Sequence, residues 1–592
     1  MVYETSYEFG RSPFRPDKER GFWSSPTDFV YACISSSFKI EVFSLCWMFF
    51  FDMGVYGLLP FALCLCIYIV PLMVIQTFMG QFSSSGFISV FRISPFFKGM
   101  GYISLALNYS VLSYYSIFAV IPMFFFFNSF WPTLPWSCEA VKTWDNKTFS
   151  LEKPSLCNIT HEQADNDSLS YITFSVPSYL YFESYYGNNY PFEYRTSPLI
   201  ISWNMIIYCI ITWLVISYIF YKFYEPEKFG KLVRYAIIGT LGVVCLCLLR
   251  FIFLPGAWNA LHKYFNPSFD NWREGIPSIL IYAVSFFGAG WGNVTTLSSL
   301  NKFRTDIMRY SWIICIAQLL VFLAFGFVSY LVQQHFVEVT DNNYYTFVEH
   351  HWVLYMSTGT AIANMSFANM WSILFYGMLF VTAVIVMVVQ LQTIFISLFD
   401  EFEILRQHRK ETIFGSIGVL TLMSLYFTSN HGLASFSALQ ADALFTQTTL
   451  DLLLLLVVLW IYGRERFQRD IEFMLEKTFA TWKINVLRYL IPIFLLFTLL
   501  VSIFYSISEH LYGSPVTLII ALFLIVLPWL LIPGYGIYIV SQTSGEFWTR
   551  LKRCCRPLDW YPTDPEERRK YEEAMSDVDM THQLSEVDGD VL

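Results

Sequence analysis

Twelve apolar stretches alternate with polar ones along this chain, at 27–51, 55–78, 101–131, 198–222, 232–254, 276–298, 308–334, 369–399, 412–429, 443–462, 487–507 and 515–541. Each is about 20 residues or longer, enough to cross a hydrocarbon layer as a helix. The pattern predicts an all-α polytopic membrane protein. It has a polar N-terminal segment over 1–26, a helical domain over 27–541 and a polar tail over 542–592. The first 26 residues hold no apolar run of the kind found in a cleavable signal. The tail turns from basic ("RLKRCCRP") to acidic and is expected to be largely disordered, beyond Tyr571. Its Cys554 and Cys555 are candidates for palmitoylation or two unmodified thiols.

Composition agrees: 55% of residues are hydrophobic and 14% charged, where a soluble domain carries about 25%. The loop at 132–197 holds three glycosylation sequons, at Asn146, Asn158 and Asn166, which puts it outside. Charge gives an independent test. With both termini in the cytoplasm, 29 of the 37 lysines and arginines fall on the inner side, as the positive-inside rule requires. The expectation is a multi-pass plasma-membrane glycoprotein. Cys138 and Cys157 share the outer loop and either pair there or stay as free thiols. The remaining cysteines lie mostly in apolar stretches and read as small buried hydrophobes. No nucleotide-binding loop, metal cluster or catalytic triad is legible. A pump or an enzyme therefore has no support, and neither does a nucleic-acid partner or an organic cofactor.

Two spans carry chemistry that a plain membrane helix would not. In the first, "CISSSFKIEV" (33–42) sets Lys39 and Glu41 after Ser35, Ser36 and Ser37. A charge at mid-span costs roughly 3 kcal/mol unless it finds a partner or water. On an unbroken helix Lys39 and Glu41 would point apart; either the helix unwinds and they meet, or each finds another partner. In the sixth, "FFGAGWGN" (286–293) places Gly288, Gly290 and Gly292 around Trp291. Such glycines serve either a broken, ligand-binding helix or close packing through small residues.

Eight phrases fall in the order and spacing of one family: "GQFSSSGF" (80–87), "PFFKGMGYIS" (95–104), "LPWSC" (134–138), "FGKLVRYAIIGTLGVVCLCLLRFIFLPGAWNAL" (229–261), "LNKFRTD" (300–306), "AIANM" (361–365), "DEF" (400–402) and "LWIYGRERFQRDIEFM" (459–474). Over roughly residues 20–562 the chain resembles the neurotransmitter:sodium symporters, the sodium- and chloride-dependent carriers of amino acids, monoamines and osmolytes. The resemblance implies twelve helices in a 5+5 inverted repeat, with the substrate held between broken first and sixth helices. It also implies an inner gate, in which Arg20 and Trp23 match the family's Arg-x-x-Trp and Asp400 is the gate aspartate. Gln392 is a candidate to join them, while Leu300 stands where a supporting tyrosine is usual. Tyr115 matches the tyrosine lining the substrate site, and Trp291 replaces its capping phenylalanine.

The ion sites depart from the pattern. Lys39 falls where amino-acid carriers have glycine and monoamine carriers aspartate. Glu41 falls on the sodium-binding asparagine, and Ser44 or Leu45 on the outer-gate arginine. The family's sodium ligands become Phe286, Ile314, Ile385 and Val386. The chloride residues become Phe61, Tyr282, Phe286 and Gln318. Hydrocarbon cannot replace a hydration shell, so neither the sodium sites nor the chloride site is expected to be intact.

Three expectations follow. The first is a secondary transporter of a small amino-acid-like or amine solute, with Lys39 as a tethered cation and Glu41 as its counter-ion or a proton carrier. Ser36, Ser37, Tyr115, Gly288, Gly290 and Trp291 complete that candidate site. The second is a transport-inactive relative acting as a binding, trafficking or signalling partner. The third is a sodium-coupled carrier holding Na⁺ on Glu41 and backbone carbonyls. Oligomeric state is not legible.

Overall fold

The structure is a computed structural model. It describes residues 19–40, 53–137, 139–140, 177–184, 199–267, 291–339, 353–508 and 515–575, with Phe14, Asp17, Ile279 and Ala283. Among these residues there is no strand, only helices and their connections, with one isolated bridge between Ile201 and Ser429. Nine described helices are long and apolar enough to cross a membrane. The chain is therefore an all-α polytopic membrane protein. Of the other three expected spans, the first and sixth run partly outside the described residues. The ninth is the 19-residue helix Arg409–Phe427.

The elements that place the site are α1 (Pro26–Ser35), α2 (Gly54–Ser83), α3 (Pro95–Asn128), α4 (Trp203–Phe223), α5 (Pro226–Phe251), α6 (Asn293–Ser298), α7 (Ile307–Val339), α8 (Ala368–Glu401), α9 (Arg409–Phe427), α10 (Asn430–Leu456), α11 (Ile491–Ser508) and α12 (Leu531–Gln542). Helix α8 is the axis of the molecule. Every residue from Thr382 to Asp400 is buried, so this half is enclosed on all sides, as a core helix must be. It packs against α3, α5 and α6. Peripheral helices such as α4 keep large apolar side chains exposed, among them Trp203, Ile207 and Leu214, which suits contact with lipid.

Helix α1 starts with Pro26 in its first turn and with Ser25 Oγ accepting from Thr27 N at 3.3 Å, a favourable helix start. It stops where the serines begin. The hydroxyls of Ser35, Ser36 and Ser37 donate back to the carbonyls of Ala32, Cys33 and Ile34 at 2.7, 2.7 and 2.6 Å, competing with the helical ladder. Helix α6 starts after a second irregular stretch. There Gly292 has φ 81°, a left-handed conformation open to glycine and costly for other residues.

Within the tail, which was expected to be disordered beyond Tyr571, the described residues 547–575 are ordered. Phe547–Cys554 is helical, and Trp560 and Tyr571 are fully buried. Asp470 draws them in, accepting from Trp560 Nε1 (3.2 Å), Tyr571 OH (2.8 Å) and the Tyr462 hydroxyl. Arg92 donates to Asp559 O at 3.0 Å. Its burial lowers the guanidinium to about 10, against the opposing pull of Asp559. Two aromatic anchors and a few charged pairs hold this segment, too sparse a pattern for composition to reveal. Cys554 is buried against Thr543, which removes it from acylation, while Cys555 is half-buried.

Close packing between α2 and α6 depends on Gly80, where an added Cβ would overlap the carbonyl oxygen of Thr295. Gly80→Ala is expected to lower stability by about 1–3 kcal/mol through overpacking. Gly239→Ala, whose Cβ meets nothing within 4 Å, should be neutral or stabilise by up to about 1 kcal/mol. Thermal melting of both variants in detergent checks the contrast.

Candidate functional site

The two irregular stretches meet. Lys39, on the segment that follows α1, is 3% exposed, and its Nζ lies 3.7 Å from the centroid of the Trp291 ring. Trp291 belongs to the stretch just before α6. A desolvated ammonium over an indole gains about 2 kcal/mol. The indole is fixed by its edge, since Nε1 donates to Gln447 Oε1 on α10 at 2.7 Å.

Interrupting a helix exposes backbone groups that a membrane interior cannot hydrate, and polar side chains from neighbouring helices take them up. Tyr115 OH, on α3, donates to Phe38 O at 3.1 Å and accepts from Ile40 N at 3.4 Å. Asn108 Nδ2 donates to Trp291 O at 2.8 Å, and its own Oδ1 accepts from Gln390 on α8 at 2.8 Å. Gln318 Nε2, on α7, donates to Cys33 O at 3.0 Å. Thr393 Oγ1 donates to Asn293 Oδ1 at 2.7 Å.

Lys39, Tyr115 and Trp291 thus come together. Ser36 and Ser37 form the break itself and spend their hydroxyls on it rather than on an open cavity. Glu41, Gly288 and Gly290 lie outside the described residues, as do Phe286, Tyr282, Cys138, Cys157, Asn146, Asn158 and Asn166. Ile314, Ile385 and Val386 are buried hydrocarbons, and Phe61 stacks on Phe322 at 5.0 Å between centroids. None of these four side chains offers an oxygen to an ion. Among the described residues no group of three or more His, Cys, Asp or Glu gathers as a metal site.

At one end of the bundle Arg20 is enclosed and paired with Asp400, NH1 to Oδ2 at 2.8 Å. It also donates to Ser84 O and Ser299 Oγ, and Gly86 N donates to Asp400 Oδ2 at 2.8 Å. Trp23 Nε1 donates to Leu297 O at 2.9 Å, and Trp23 N to Leu300 O at 3.0 Å. Arg20, Trp23 and Asp400 therefore tie the N-terminal segment to α6, α8 and the loop after α2. Gln392 borders the same small cavity but donates to Tyr224 O at 3.2 Å and bonds neither charged partner.

Sequence reasoning passed over Asn108, Gln390 and Gln447, which orient Trp291. Their signal was available as carboxamides within apolar spans, where each must find a bond.

With this geometry described, two comparisons bear on it. The profile of the sodium:neurotransmitter symporter family matches residues 20–543. The human sodium- and chloride-dependent neutral and basic amino acid transporter B(0+) is 24% identical over 617 residues, covering 97% of this chain and 94% of that protein.

Neutralising one partner of the buried pair strands the other. Asp400→Asn is expected to cost about 3–5 kcal/mol, against about 1 kcal/mol for Gln392→Ala, which loses a single neutral bond. Melting temperatures of the two purified variants test that order.

Proposed function

The chain belongs to the sodium:neurotransmitter symporter family, and from that premise we propose that it is a secondary-active carrier of a small amino-acid-like or amine solute. Members of this family are solute transporters and not enzymes. The solute site lies between the breaks after α1 and before α6, in a twelve-helix, 5+5 inverted-repeat domain over 27–541. The protein sits in the plasma membrane with both termini cytoplasmic and the 132–197 loop glycosylated outside. Amino-acid chemistry draws support from the human relative, a transporter of neutral and basic amino acids.

The observation that carries this reading is the Lys39 ammonium held over Trp291 where the two breaks meet. A fixed cation there meets the carboxylate of a zwitterionic solute, beside the Trp291 indole and the Tyr115 phenol. Hydrocarbon at Ile314, Ile385 and Val386 supports transport that draws nothing from sodium at the family's positions. The bond from Gln318 to the Cys33 carbonyl likewise supports a carrier that does without chloride at the family's position. Glu41 serves as counter-ion to Lys39 or as a proton carrier.

A second reading, a transport-inactive relative serving as a binding, trafficking or signalling partner, is favoured by one feature. Tyr115 and Asn108 at the junction are bonded to the broken backbone, and Trp291 to Gln447.

Purified protein in liposomes separates these readings. With a panel of labelled neutral and basic amino acids and amines, uptake is expected when choline replaces Na⁺. Lys39→Gly should abolish it, and Glu41→Gln should weaken it. Uptake only with Na⁺ present would sink the role given to Lys39. No uptake under any gradient would leave the inactive partner as the correct reading.

A further inference from the structure

Another ionisable group lies deep in the bundle, away from Lys39. Asp451, on α10, is fully enclosed and forms no ion pair among the described residues. Its Oδ1 accepts from Gln76 Nε2, on α2, at 2.9 Å. Its Oδ2 and the Gln76 Oε1 are both enclosed and without a hydrogen-bond partner. An ionised carboxylate in this setting would be a buried charge with one neutral donor, and beside it a buried amide oxygen would go without any. One proton resolves both deficits. On Oδ2 it removes the charge and supplies an O–H of the kind that an amide oxygen accepts.

The neighbourhood leaves open space beside that proton. The pair borders a small cavity whose wall includes Ser104 of α3, Thr295 of α6 and Gly292 at the break. The titratable group facing Asp451 is Tyr68 on α2, whose own neighbour is Cys64. The wall contributed by α3 and α6 adds none. Residues 491–504 of α11 and the packed stretch 515–530 carry no Asp, Glu, Lys, Arg or His. Helix α9 keeps its charges in its first turn, where Arg409 is paired with Asp17 at 2.6 Å. Asp442 lies on α10 itself. Nearby, Gln447 sits one turn before Asp451 and holds the Trp291 indole, so α10 joins the acid to the broken segment over which Lys39 lies.

We propose that Asp451 and Gln76 form a proton-binding site within the membrane. Asp451 holds the proton as a neutral acid and releases it through the Ser104–Thr295 cavity, leaving the carboxylate with its bond from Gln76. The proton site stands on geometry alone. Its coupling to solute movement rests on the transporter reading above.

Infrared difference spectra of the purified full-length protein, between acid and alkaline pH and in H₂O and D₂O, test the site without any flux. Wild type should lose a carboxylic-acid C=O band on alkaline titration, and that band should shift in D₂O. Asp451→Asn should lack it. Gln76→Leu should move it to higher frequency by removing the bond to the acid carbonyl, which serves if Asp451→Asn does not fold. A band that survives in Asp451→Asn, or is unmoved in Gln76→Leu, overturns the proposal. In liposomes loaded with an inward proton gradient, a mixture of labelled amino acids should enter faster in wild type, and Asp451→Asn should lose that stimulation. An Asp451-dependent band in a protein that moves no solute would defeat the transporter reading while leaving the proton site standing.

Discussion

A cation in the middle of a membrane protein must be solvated by the protein, and Lys39 is the point from which the rest of this site is arranged. Leaving an ammonium at mid-span costs roughly 3 kcal/mol on insertion scales. The face of Trp291, 3.7 Å away, returns about 2 kcal/mol of that. The contact requires that both chains leave helical geometry at the same level. Were α1 continuous through Lys39, the side chain would follow the helix face, and the indole before α6 would meet backbone instead.

Two broken helices then set the polar content of their neighbours. Each break frees carbonyl and amide groups that no water reaches, and each group recruits one side chain. Tyr115 covers Phe38 O, Gln318 covers Cys33 O, and Asn108 covers Trp291 O while being held by Gln390. These residues sit on α3, α7 and α8, each within the membrane-spanning length of its helix. Their polarity follows from the breaks, since an unmade bond at this depth costs about 1–3 kcal/mol.

Much of this was legible beforehand, because membrane spans obey a coarse rule of length and hydropathy. The serine run and the charge after it marked 33–42 as unusual, but unwinding there was only one alternative, and the stop of α1 at Ser35 was not read from the sequence. Arg20, Trp23 and Asp400 were legible only through the resemblance, whose Arg-x-x-Trp and gate aspartate they match, since charge beside a span is by itself ordinary. Gln392 was not, since adjacency along α8 does not say which neighbour a long amide reaches, and it reaches Tyr224 O. Asp451 carried the same mid-span signal as Lys39, yet it stands in "TTLDLLLLL", with no serine run or glycines to mark a break. The folded tail hid for a different reason. Its order comes from Trp560 and Tyr571 docking on Asp470, a partner about 90 residues earlier, and local composition carries no trace of so distant a contact.

The junction and the Arg20 cluster are not independent, because one face of α8 runs from the first to the second along α6. Thr393 bonds Asn293, Ser397 Oγ lies 3.0 Å from Thr296 Oγ1, and Asp400 meets Arg20, which also bonds Ser299. Those α8 positions are three or four residues apart, so they share a stripe of the helix. Phe87 N adds bonds to Thr296 Oγ1 and Ser397 Oγ at 3.1 and 3.2 Å, fastening the loop after α2 to the same stripe. A rigid α6 cannot slide along α8 by losing one of these contacts, since each is spaced by the helix pitch and all fall out of register together. The ladder is therefore made or broken as a unit. Any displacement of Trp291 that carries α6 with it is felt at Arg20, through about one and a half turns of helix and a set of short polar bonds.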